Sequence, residues 1–169
     1  IRICLVGSEM CIRDSLKGLG NIFQRVKRIE EVTKNILTFL NDKSLEDKKI
    51  IEAARFCKND LCSEIVFEFP ELQGIMGGKY LKNEGFSEDV CLAVAEHYLP
   101  SFYKDALPSS KYGAIVSVAD KIETLISIFI SGTRPSGSSD PYALRRNLNG
   151  VIKIISVSYT HLTLPTKCW

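Results

Sequence analysis

Apolar residues recur three to four positions apart along the central stretch of this chain, and no segment alternates apolar and polar with a period of two. That pattern confines the chain to helices packed on helices, and we read it as an all-α bundle. Ile22, Val26, Ile29, Ile36 and Leu40 mark one face of a long amphipathic helix, with Arg25, Lys27, Arg28, Glu30 and Glu31 between them. Asn41-Asp42-Lys43 ends it. Ser44 followed by Asp47 is a capping-box-like start for a second helix. Its inward face carries Ile50, Ile51, Ala54, Cys57, Leu61 and Ile65, and Pro70 forces a break. A third helix over Glu71 to Leu81 places Leu72, Ile75, Met76 and Tyr80 on one side. Gly74, Gly77 and Gly78 are costly in a lone helix and predict close approach by another backbone. Ser87 caps the next helix, whose first turn holds Glu88 and Asp89, and Pro100 closes it. Tyr112 to Ile130 reads as a largely buried helix ended by Gly132. Thr133 to Asp140 is a loop by composition. Asp140 is the expected N-cap, and Pro141 the first residue, of a last helix reaching about Ile155.

The two ends lack this period. Glu9 to Ser15 back-translates to DNA whose reverse complement reads Val-Ser-Tyr-Thr-His-Leu, the sequence of Val157 to Leu162. Both ends are therefore compatible with one DNA element read in opposite orientations, as a sequencing-library adapter would be. Residues 1–15 and 157–169 are accordingly expected to be adapter-derived, with one domain at 16–156.

The whole chain has 169 residues, with 22 basic and 20 acidic side chains. Setting aside Arg2, Arg13, Lys167, Glu9 and Asp14 leaves 19 basic and 18 acidic. Such a balance excludes a strongly basic nucleic-acid tail and an acidic solvating tail. No apolar run is long enough for a membrane span. Cys57, Cys62 and Cys91 remain after trimming, an odd set that favours reduced thiols and a cytoplasmic setting. They lack the four ligands of a structural zinc, so buried free thiols are expected.

His97, Asp60 and Asp120 are the one set that suggests a metal site, each on a different predicted helix. A helical fold gathering these residues resembles the HD-domain superfamily of metal-dependent phosphohydrolases. That resemblance implies a His-Asp pair, and here Asn59 stands before Asp60 where the pair needs histidine. With His97 alone, a complete ligand set cannot be built, so no metal is assigned to these degenerate positions. The competing reading has Asp60 and Asp120 capping or pairing, with His97 a satisfied histidine near a helix C-terminus, where the imidazolium is favoured. Two basic groups, Arg25-Lys27-Arg28 and Arg134-Arg145-Arg146, suit phosphate contacts through bidentate guanidinium groups. The alternative for both is a solvated, salt-bridged helix face.

An ordered set of strings carries a closer resemblance. Phe69 to Gly77 reads FPELQGIMG, Glu96 to Pro100 EHYLP, and Asp105 to Pro108 DALP. Ala119 to Leu125 reads ADKIETL and Gly137 to Arg146 GSSDPYALRR. In this order they resemble the β subunit of bacterial glycyl-tRNA synthetases that have separate α and β subunits. The resemblance implies ATP-dependent glycylation of tRNA(Gly), in a heterotetramer of two α and two β subunits. ATP is then used by the α subunit, and this fragment needs no cofactor. The stretch corresponds to the central HD-like domain of a much longer subunit. No catalytic residue is carried over; Arg134, Arg145 and Arg146 are the expected tRNA contacts. The fragment alone is expected to be inactive. The alternatives are a free-standing HD-type phosphohydrolase and a helical interaction module.

Overall fold

A computed structural model describes residues 20–102, 104–132, 140 and 142–158. The expected loop contact Arg134 and the expected first helical residue Pro141 lie outside them, as do nearly all of both end segments.

Among the described residues seven α-helices form, and no strand. They are α1 (Ile22–Leu40), α2 (Asp47–Phe56), α3 (Glu64–Glu68), α4 (Ile75–Asn83), α5 (Glu88–Glu96), α6 (Lys111–Ile130) and α7 (Leu144–Ser158). Short 3-10 turns at Asn59–Cys62 and Pro70–Leu72 flank α3. The all-α expectation therefore holds.

Helix α6 is the axis. Every residue from Gly113 to Lys121 is buried, because α1, α2, α5 and α7 all pack around it. The main core joins Ile29 of α1, Ile50 and Ala54 of α2, Val90 and Val94 of α5, and Val116 and Ala119 of α6. A smaller cluster joins Ala114 and Val118 to Val151 and Ile154 of α7.

Local signals set several boundaries. Asn21 caps α1 in a reciprocal capping box with Gln24. Asn41 closes it in the left-handed conformation at φ 46°, which asparagine tolerates. The Ser110 hydroxyl accepts from the Gly113 amide at 2.9 Å and starts α6.

Four expectations are corrected. The second helix does not run on to Ile65; α2 stops at Phe56, because Lys58 and Asp60 turn inward to partners on other elements. Ser44 does not cap it, and bonds the Asp42 carboxylate instead. The third helix begins at Ile75, since Gly74 adopts φ 79° and breaks the turn before it. A Cβ at Gly74 would also lie 2.9 Å from the Ala95 carbonyl oxygen. The last helix starts at Leu144, not Pro141. Asp140 still caps it, accepting from the Leu144 and Arg145 amides at 2.8 and 3.0 Å. That helix continues to Ser158, past the expected end.

The glycine expectation holds for α4 against α5. A Cβ on Gly78 would meet the Cys91 carbonyl oxygen at 2.6 Å, and one on Gly77 would meet Val94 at 3.0 Å. Only glycine lets these two backbones approach so closely.

Candidate functional site: a buried lysine between histidine and aspartate

His97 follows α5 directly and is fully buried. Its Nδ1 lies 2.6 Å from the Val94 carbonyl oxygen, which can only accept. Nδ1 therefore carries the proton, and the lone pair of Nε2 faces inward. The Lys58 ammonium meets that lone pair at 3.0 Å. Lys58 Nζ also donates to Asp120 Oδ2 at 2.8 Å and lies 3.9 Å from the centre of the Tyr98 ring. Lys58 is 1% exposed, so the two polar partners and the ring replace water around its charge.

The electrostatics follow from burial and this cation. Burial, reinforced by the Lys58 charge, pushes His97 down to about 3, so the imidazole is neutral. The expected preference for an imidazolium at this helix end is thereby corrected: desolvation outweighs the helix dipole. For Asp120, burial opposes ionisation, but Lys58 and Arg25 outweigh it and hold the carboxylate well below its usual range. Burial likewise opposes the Lys58 charge, and Asp120 holds it above the ordinary lysine value.

Asp120 is bonded on both oxygens. Oδ1 accepts from Arg25 Nη2 at 3.0 Å. Arg25 Nε donates to Glu123 Oε2 at 3.1 Å, and Nη2 also reaches Thr124 Oγ1 at 2.8 Å. Arg28 Nε donates to Glu123 Oε1 at 2.8 Å. Within the first basic group, Arg25 and the partly exposed Arg28 tie α1 to α6 through these carboxylates, while Lys27 stays at the surface. The salt-bridge alternative is what the structure bears out.

Asp60 does not join His97 and Asp120. It is 1% exposed, and its Oδ2 accepts the Gly74 amide at 2.5 Å, at the start of α4. Its Oδ1 has no partner, and burial raises its pKa. The competing reading of both aspartates is accurate, since Asp60 caps and Asp120 pairs. Among the described residues no group of three or more His, Cys, Asp or Glu side chains is placed to hold a metal ion. The Lys58 ammonium sits where His97 and Asp120 converge. That arrangement holds a fixed positive charge between the two side chains.

Sequence reasoning missed Lys58. A signal for it was nonetheless present. Ala54, Lys58, Leu61 and Ile65 share the spacing of one helix face, so a lysine stood in an apolar stripe.

Cys57, Cys62 and Cys91 are free thiols, Cys57 and Cys91 buried and Cys62 half-buried. Burial pushes the Cys57 thiol up to about 12.

The second basic group lies at the surface. Arg145 and Arg146 are exposed on the first turns of α7, with Arg146 5.1 Å from the centre of the Phe102 ring. No helix among the described residues is long and apolar enough to cross a membrane.

Residues 16–167 match the family model described as glycyl-tRNA synthetase beta subunit. Curated relatives agree. The glycine–tRNA ligase beta subunit of Phenylobacterium zucineum is 46% identical over 157 residues, covering 89% of this chain and 24% of that protein. That of Methylobacillus flagellatus is 43% identical, covering 88% of this chain and 21% of that protein. That of Trichodesmium erythraeum is 48% identical, covering 80% and 19%. The chain spans 19 to 24% of the length of these relatives. A match across nearly all of the sequence, agreeing in several relatives, places the chain in the glycyl-tRNA synthetase β-subunit family.

Proposed function

We propose that the chain is a piece of the β subunit of a glycine–tRNA ligase, acting in ATP-dependent glycylation of tRNA(Gly) in the cytoplasm. Its partners are the α subunit, two of each in a heterotetramer, and the tRNA. The α subunit uses the ATP; this piece binds no cofactor. Residues 16–156 form an HD-like helical domain, and residues 1–15 and 157–169 are translated adapter DNA. The domain makes no bonds. It contributes architecture and positions the tRNA, which lowers the barrier through preorganisation. Arg134, Arg145 and Arg146 supply the phosphate contacts.

One observation carries the non-catalytic reading. The Lys58 ammonium stands between these two side chains, 3.0 Å from His97 and 2.8 Å from Asp120.

The test uses the full-length β subunit assembled with its α partner. Deleting residues 16–156 should leave glycine-dependent ATP–pyrophosphate exchange intact and abolish tRNA charging. Replacing Arg145 and Arg146 together with alanine should weaken tRNA binding, most at low salt, and reduce its salt dependence. Unchanged tRNA affinity and charging in that double variant would leave a packing role alone. Stoichiometric metal with nucleotide hydrolysis by this domain would instead establish the phosphohydrolase alternative.

A further inference from the structure

A groove of about 620 Å³ runs between α7 and the loop after α5. Pro100, Phe102, Arg146, Asn149, Ile152 and Lys153 form its walls. We propose that this groove binds an unpaired nucleotide of RNA, its base stacked on Phe102 and its phosphates met by Arg146 and Lys153. The inference rests on the tRNA-positioning reading above and names the part of the RNA that this face takes.

Phe102 is the platform. It is 62% exposed. The Asp105 carboxylate fixes that loop by accepting from the Phe102 and Ser101 amides at 2.7 and 2.9 Å. The backbone that carries the ring is therefore held in place, which lowers part of the ordering cost of stacking. Arg146 lies over the ring at 5.1 Å and extends the planar surface with a cation. Lys153 Nζ donates to the Asp105 carbonyl at 3.2 Å, which draws this second cation to the same loop. Asn149 offers both a donor and an acceptor to a base edge.

Charge selects the occupant. The lining includes two cations and no carboxylate. An aromatic platform beside positive side chains is how single-stranded nucleic acid is held, because every base has a π-face and every linkage a phosphate. A duplex would not serve, since its base faces are already stacked on one another.

The experiment compares Phe102→Ala, Phe102→Leu and Phe102→Trp in the full-length synthetase. Binding of tRNA(Gly) and of a short oligouridylate is measured at one fixed salt concentration. Alanine and leucine should each weaken both ligands about tenfold, the scale of one lost stacking contact. Tryptophan should keep wild-type affinity. Melting temperature should not change in any variant, because the ring lies mostly in solvent. Full binding with alanine overturns the groove inference and leaves the tRNA reading standing. Leucine binding as well as tryptophan does the same, and points to an apolar protein contact. Wild-type enzyme that binds oligouridylate through Phe102 but does not charge tRNA(Gly) keeps the groove and refutes the ligase reading.

Discussion

Lys58→Met is the sharpest perturbation of the buried centre. Methionine keeps the length and the apolar stem, so the change removes the charge and its donors with little loss of volume. Asp120 then loses the 2.8 Å contact to Oδ2 but keeps Arg25 on Oδ1. Removing one partner of a buried pair costs about 3–5 kcal/mol, and the surviving Arg25 contact puts the loss near the lower bound. His97 Nε2 is left as a buried acceptor with no donor, which adds about 1–3 kcal/mol. The sum, about 4–6 kcal/mol, rivals the whole stability of a typical domain. A variant that still folds should melt at least about 10 °C lower, by helical circular dichroism. Adding Asp120→Asn should recover part of the loss, because the stranded carboxylate no longer needs a counter-ion. A single variant within about 1 kcal/mol of wild type, on the scale of ordinary substitutions, would refute the reading of Lys58 as the bundle's internal cation.

His97 makes stability depend on pH. Its folded pKa of about 3 lies below the ordinary 6.5, so the unfolded chain binds the extra proton first. Its contribution is complete above pH 6.5 and lost as pH falls towards 3, about 2 kcal/mol by pH 5 if each pH unit counts in full. Urea midpoints at pH 7 and pH 5 should differ accordingly, and the difference should vanish in His97→Gln. Gly78→Ala should destabilise by about 1–3 kcal/mol despite its better helix propensity, because its Cβ would meet the Cys91 carbonyl. A gain in thermal stability there would contradict the close packing of α4 on α5. Cys57, buried and pushed up to about 12, should resist thiol reagents at pH 8 in the folded protein and react on unfolding. Peptide mapping after timed alkylation distinguishes it from half-buried Cys62.

Much of the architecture was legible in residue order alone. The three- to four-residue apolar spacing made the bundle all-α, and the density of Ile, Val and Ala in 112–130 marked the central helix. Gly77 and Gly78 announced a close backbone contact, because only a neighbouring main chain justifies glycines inside a helix. The ordered strings from Phe69 to Arg146 carried the family, since that resemblance needs no coordinates. Local chemistry was less reliable where several caps competed. Ser44 looked like a helix start, yet Asp42 took its hydroxyl.

Only the tertiary structure decided what the charged residues do. Arg25 and Arg28 looked like surface cations, but α6 brings Asp120 and Glu123 within hydrogen-bond reach across about a hundred residues of chain. Asp60 and Asp120 looked equivalent; one caps α4 and the other neutralises Lys58. The physical reason is range. Helix periodicity and turn chemistry act over a few neighbouring residues and are written in local order. The protonation of His97 and the inward turn of Lys58 depend on exclusion of water, which exists only once distant helices have closed around them.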